Sequence, residues 1–194
     1  MRDKSRIFIT SLILYFCSSI TMPGVLMAFN EGDLIVFRDN ETRFSFHYPK
    51  TWKPVAATYK DTRFKMVSRK GKGAEDCGVN VKYENKLIEI SPSYFSKNVA
   101  PQASKALLDQ IRLKAPDARI IESGPTFISN REAYYYVIVN SFKTIDYEAK
   151  IANYSVQTIK NGYIYTISCR CNRETLNEML PEFKKIMTGF ILTD

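Results

Sequence analysis

The dipeptide Asn161-Gly162, set between two strand-like runs and followed by a helical stripe, constrains the fold of this 194-residue chain more than any other feature. Both residues tolerate the positive φ of a two-residue hairpin, and the flanking runs YSVQTIK and YIYTISC are rich in β-branched and aromatic residues. Beyond them the period changes from two to that of a helix. Leu176, Met179, Leu180, Phe183, Ile186 and Met187 fall on one stripe. A hairpin feeding such a helix hides the stripe by laying it back across a sheet. Pro181 lies inside the pattern, so the reading is a short turn from Arg173 and a main helix with Pro181 at its start.

The preceding chain supplies that sheet. Residues 29–38 open with a short apolar run, and residues 43–48 alternate as a strand that stops at Pro49. Tyr48, Pro49 and Trp52 then form a turn motif in which a rigid proline places the only tryptophan as a core plug. Residues 58–68 read as a second strand with RKGKGAED as its exit loop, and Cys77, Val79, Val81 and Tyr83 share one face of a third. Residues 84–98 read as a long connection with a turn at Ser91-Pro92. Pro101 suits a first helical position, with Ala103, Ala106, Leu107 and Ile111 as the buried stripe and Ala115-Pro116 as the end.

Residues 118–122 and 126–129 read as strand pieces on either side of Gly124-Pro125. The near-continuous apolar run 133–142 reads as a central strand covered on both faces. Residues 146–159 pair back, with a frame shift that predicts a bulge near Ala152-Asn153. Strands this apolar on both sides need helices on both sides. The expected class is α/β, an α/β/α sandwich around a twisted, mainly antiparallel sheet, with residues 29–194 as a single domain.

Residues 1–28 read as a leader rather than part of that fold. Arg2, Lys4 and Arg6 precede the apolar run 7–20, Pro23-Gly24 ends any helix, and Ala28 offers a small residue for cleavage. The expectation is a signal peptide and an extracytoplasmic location, periplasmic or secreted, with an uncleaved membrane anchor as the alternative. The formal net charge is +8, of which the leader carries +2. Lys65, Arg69, Lys70 and Lys72 bunch around a Gly-rich turn. That excess favours an acidic partner or a weak contact with an anionic membrane surface. Nucleic acid is not expected, because the aromatic residues sit inside alternating strand runs where they pack.

Three cysteines follow the leader: Cys77, Cys169 and Cys171. Export makes a disulfide plausible. Cys169 and Cys171 lie two apart on a strand, so a bridge between them is strained, and Cys77 pairs with one of them. A set of buried, inert thiols is the alternative. A metal is not expected, since three thiolates need a fourth ligand and the chain offers only His47.

Catalytic constellations are not visible either. His47 is the one histidine, mid-strand, with no nucleophile suggested by spacing. Glu75-Asp76, Glu84 and Glu89 read as solvated charges. Gly71-Lys72-Gly73-Ala74 superficially resembles a phosphate loop but lacks its glycine spacing and its Ser/Thr, so no cofactor is expected.

Three stretches resemble PsbP-like proteins. Phe44-Ser45-Phe46-His47-Tyr48-Pro49-Lys50-Thr51-Trp52 is similar to their strand, Tyr-Pro, x-x-Trp opening. Asn130-Arg131-Glu132-Ala133 and the strand after it resemble their Gly/Asn-Arg-x-Ala strand. The ending from Gly162 through Phe183, Ile186 and Gly189-Phe190 resembles their closing hairpin, helix and Ser-Phe strand, with Gly189 where serine is more usual. The resemblance implies the sandwich fold and little about activity. Proteins of this fold include an extrinsic photosystem II subunit, a small Ran-binding import factor and exported bacterial proteins of unknown role. The resulting expectation is a non-enzymatic exported binding or assembly module that contacts a protein partner in the cell envelope. The alternatives are an adaptor or chaperone for apolar protein segments and a carrier of a small apolar ligand.

Overall fold

The computed structural model describes residues 31–69, 75–143 and 148–193. The leader at 1–28, the Gly71-Lys72-Gly73-Ala74 turn with Lys70, and the start of the 146–159 run lie outside the described residues. Among the described residues, ten strands alternate with two helical regions. The strands are β1 (Leu34–Asp39), β2 (Phe44–Pro49), β3 (Trp52–Pro54), β4 (Thr62–Ser68) and β5 (Asp76–Tyr83), then β6 (Arg119–Ile128), β7 (Arg131–Lys143), β8 (Glu148–Lys160), β9 (Tyr163–Asn172) and β10 (Phe190–Leu192). Between β5 and β6 run α1 (Pro92–Tyr94), a π turn (Phe95–Val99) and α2 (Ala100–Arg112); α3 (Leu176–Thr188) follows β9.

Every pairing is antiparallel. One sheet has seven strands in the order β3-β4-β5-β9-β8-β7-β6, and a second has three in the order β1-β2-β10. The hairpin at Asn161-Gly162 forms as read, with φ of 50° and 79° and Lys160 opposite Tyr163. Ser129 and Asn130, also at positive φ, make the same kind of turn between β6 and β7.

Side-chain alternation sorts the core onto the two faces of the large sheet. Val137 and Val139 of β7 join Phe183, Ile186 and Met187 of α3, while Tyr136 and Ile138 join Leu108 of α2. The two helical regions therefore cover opposite faces. On the first face α3 does not act alone. β2 and β10 insert Phe44, Phe46 and Phe190, with Phe44 and Phe190 stacked at 5.3 Å and Phe46 edge-on to Phe64 at 5.4 Å. This three-stranded sheet has no counterpart in the sequence reading. On the second face the helical region packs on β7 and β8, through Leu108 in one cluster and Phe95 and Ala100 in another.

Several local expectations are corrected. The connection at 84–98 contains a 3-10 turn (Asn85–Leu87) and the true helix start at Pro92, capped by Ser91, whose hydroxyl accepts the Tyr94 amide at 3.2 Å. Pro101 therefore sits inside a longer helical run. The Ala100 amide reaches back five residues to the Phe95 carbonyl, and this widened turn directly precedes the proline, whose ring a regular turn would crowd. Ala103 and Ala106 are exposed, and the sheet-facing line is Ala100, Ser104 and Leu108, with Leu107 and Ile111 half-buried. Two small alanines widened the apparent stripe to the wrong side.

The pieces around Gly124-Pro125 are one strand, β6. It is the outer strand of the sheet, where a residue without an N–H is tolerated. The apolar run in β7 is covered on both faces but lies next to the edge rather than at the centre. No bulge occurs at Ala152-Asn153. The register is unbroken from Tyr134–Gln157 to Lys143–Glu148. The frame changes because Ala152, Tyr154 and Val156 face the α3 side, while Ile159 packs on the other side with Phe95. Pro181 lies inside α3, which starts at Leu176 after a 3-10 turn from Arg173. Pro181 and Asn177 are both exposed, so the carbonyl left without a partner faces solvent. Among the described residues no helix is long and apolar enough to cross a membrane.

Candidate functional site

Two recesses of about 710 Å³ each lie against the large sheet. The first is apolar and lies between α3 and the β6–β7 hairpin. Tyr135, Tyr154 and Met187 line it, Lys184 stands beside them, and Ile191, 40% exposed, marks its rim, while Phe127 borders it from the hairpin but stands opposite Glu132, on the other face of the sheet. The Tyr135 hydroxyl donates to Glu122 Oε1 at 2.9 Å, and that hydrogen bond raises its pKa along with partial burial. Tyr154 is pushed up to about 12, chiefly by burial. Neither phenol is poised to ionise at neutral pH.

The second recess is polar and lies on the opposite face, on the half of the sheet beside α2. Its floor follows from register. Gln157, Thr166, Asn80 and Thr62 stand side by side across β8, β9, β5 and β4; Ser155, Ser168, Gly78 and Lys65 form the next row; Asn153, Arg170 and Asp76 form a third. The Ser155 and Ser168 hydroxyls lie 2.8 Å apart, Thr62 Oγ1 donates to Asn80 Oδ1 at 2.7 Å, and Gln157 Nε2 donates to Thr166 Oγ1 at 3.2 Å. Gly78 keeps the centre of the floor low, and a β-carbon there would lie 3.0 Å from the Phe64 carbonyl oxygen. Three of its cations meet the protein's own acids, and Lys60 also lines it. Asp76 pairs with Arg170 and, at 3.7 Å, with Lys65, while Lys82 pairs with Glu84. Tyr59, 77% exposed, stands at the mouth.

Apart from Lys65 and Asp76, the residues singled out from sequence lie elsewhere. Cys77 and Cys169 are directly opposed on β5 and β9 and form a disulfide across 92 residues, on the α3 side of the sheet. Cys171 is a buried free thiol, its pKa raised by burial against a hydrogen bond to Thr175 that lowers it. Tyr48 packs 5.1 Å from Phe64, Pro49 ends β2, and Trp52 is fully buried against Phe183, its Nε1–H donating to Glu182 Oε1 at 2.8 Å. His47 is half-buried on β2, and its backbone amide is spent on the Gly189 carbonyl. Among the described residues no three His, Cys, Asp or Glu side chains gather as metal ligands. Lys65 of the basic bunch belongs to the polar recess, whereas Arg69 is exposed.

The polar recess was not anticipated. Its signal was the second frame of three strands, Asp76/Gly78/Asn80 on β5, Asn153/Ser155/Gln157 on β8 and Thr166/Ser168/Arg170 on β9. That frame is indistinguishable in one dimension from the solvated side of an antiparallel sheet.

Comparison with known proteins bears on the fold. A family model described as PsbP matches residues 32–192. The solution structure of cyanobacterial PsbP (CyanoP) from Synechocystis sp. PCC 6803 is similar at 14% identity and TM-score 0.59, covering 89% of this chain and 97% of that one. LpqN of Mycobacterium tuberculosis, described as involved in cell envelope biogenesis, is similar at 9% identity and TM-score 0.53, covering 83% of this chain and 91% of that one. At these identities the likeness is one of fold. No curated protein matches the sequence. The antiparallel sheet, the closing hairpin and helix, and the match across nearly all the described residues lead to one conclusion: this chain belongs to the PsbP family.

Proposed function

We propose that this chain is a non-enzymatic binding and assembly module of the cell envelope. It is exported by way of residues 1–28, needs no cofactor, and docks a protein partner in the apolar groove between α3 and the β6–β7 hairpin. Residues 29–194 act in this reading as one α/β/α domain. The observation that carries it is Ile191, a large apolar side chain left in water at the rim of a groove lined by Tyr135, Tyr154 and Met187. Lys184 beside it and the net charge of +8, of which +6 lies outside the leader, favour a partner whose apolar anchor is flanked by acidic residues. Family membership supports a scaffold role, and the envelope role in LpqN's description supports the compartment. The non-enzymatic part rests on the residue inventory, with one histidine in the whole chain.

A photoreactive residue at position 191, incorporated in living cells, tests this. The expected result is one discrete protein adduct. Reconstituted from purified components, that complex weakens at least about tenfold on Ile191→Asp and is unchanged by Tyr59→Ala on the opposite face of the large sheet. Absence of an adduct overturns the reading. A lipid adduct, with a small apolar molecule retained in native mass spectrometry, selects the carrier alternative. Crosslinks to many unrelated unfolded chains select the chaperone alternative.

A further inference from the structure

We propose that the polar recess on the α2 side of the large sheet binds a segment of an uncharged glycan. The argument is independent of the groove on the other face and starts from what the recess offers. β5, β8 and β9 are internal strands, so their backbone groups are committed to the ladder and only side chains can recognise a ligand. An extended peptide, which recognises a sheet by adding to an edge, has nothing to add to here.

The first two rows present mainly hydroxyls and carboxamides, groups that both donate and accept, spaced within each row by the strand separation of about 4.8 Å. A polyhydroxyl ligand matches such a grid, because each sugar hydroxyl also donates and accepts. The volume of about 710 Å³ lies within the roughly 300–1,000 Å³ of small-ligand sites.

What favours a neutral ligand over an anion is an acceptor, not the charge of the lining. Arg170 and Lys65 share the single carboxylate of Asp76, Lys82 pairs with Glu84, and Lys60 also lines the recess, so charge alone does not select the ligand. The open position is an acceptor. Gln157 Oε1 is buried and receives no hydrogen bond, while its Nε2 is oriented by Thr166 and, at 3.5 Å, by the buried Tyr136 hydroxyl. A ligand that fills this position must bring a donor, which a sugar hydroxyl does and a phosphate or carboxylate oxygen does not. Tyr59 at the mouth supplies the remaining element. Its exposed ring is an apolar face with a polar tip, suited to stack on the C–H face of a pyranose while the hydroxyls go to the floor.

The test is a titration of the purified protein with maltotriose and with triacetylchitotriose, read by backbone amide shifts, with glucose 6-phosphate as the anionic control. At least one neutral trisaccharide should shift resonances of Asn80, Ser155, Gln157 and Thr166 saturably and bind more tightly than the phosphate. Tyr59→Ala, at an exposed position, should weaken binding by up to about tenfold. Asn80→Ala, checked for folding by its melting curve, should weaken it by a similar factor. The proposal is overturned if neither trisaccharide perturbs these strands, if glucose 6-phosphate binds more tightly, or if Tyr59→Ala has no effect. None of these results touches the apolar groove at Ile191.

Discussion

The Gly189 carbonyl accepts the His47 backbone amide at 2.8 Å, and a β-carbon on Gly189 would stand 2.0 Å from the His47 carbonyl oxygen. The backbone of β2 thus passes directly over the end of α3, at the position where PsbP-like sequences more often carry serine. The joint between the small sheet and the closing helix is built on the missing side chain.

Gly189→Ala should therefore destabilise the fold by about 2 kcal/mol or more, since the clash is with backbone and not with a side chain that can rotate away. The glycine φ is −76°, so the cost is contact and not backbone conformation. Urea unfolding of the two proteins checks this. An unchanged midpoint would show that β2 and α3 separate freely.

The Cys77–Cys169 bridge ties β5 to β9 across 92 residues, and cross-links of that span restrict the unfolded chain strongly. Reduction, or the double substitution Cys77→Ala/Cys169→Ala, should lower stability by about 2–4 kcal/mol. Alkylation under native conditions should leave the peptide carrying Cys171 unlabelled, because that thiol is buried and burial raises its pKa. Rapid native labelling of Cys171 would contradict the placement.

Asp39, buried at the end of β1, holds Arg63 of β4 at 2.7 Å and accepts the Thr42 amide at 2.9 Å, joining the two sheets. Burial opposes its charge, but the Arg63 guanidinium and the Thr42 amide outweigh burial, so its pKa falls below 3.8. A depressed carboxylate contributes stability that is complete above its unfolded pKa and is lost as pH falls through the folded one. Asp39→Asn should cost about 1.5–3 kcal/mol at neutral pH. The gap between wild type and variant should close below about pH 3.8, on acidification in urea. A gap independent of pH would remove the charge from the account.

Trp52, the only tryptophan, should emit at short wavelength in the native state and shift red on unfolding, which makes it a reporter for the whole α3 side of the core. Trp52→Phe loses the bond to Glu182 and part of the contact with Phe183. The expected cost is about 2–3 kcal/mol, measured by thermal melting followed by circular dichroism. A neutral substitution would mean that the Tyr48-Pro49-x-x-Trp52 turn is not a packing device.

The legible parts of this protein were those governed by neighbours in sequence. Asn161-Gly162 specifies its turn through backbone φ alone, the Leu176-to-Met187 stripe declares a face through its period, and the face shared by Cys77, Val79 and Val81 follows from alternation. Each is a local property, so one dimension suffices to read it. Pro101 and Pro181 were read as boundaries because propensity puts prolines there, yet a wide turn and a solvent-facing carbonyl accommodate both inside helices.

What only the tertiary structure decided is which distant segments meet. The β1-β2-β10 sheet joins residues near the two ends of the described chain, and nothing in either segment announces its partner. The polar frames of β5, β8 and β9 are equally mute: Asn80, Ser155 and Thr166 are single hydrogen-bonding residues until register aligns them. A helix docked over β7 and β8 then turns that aligned face into a recess rather than an open wall. Register and docking are long-range choices, settled by burial of the whole core, and no window of sequence contains them.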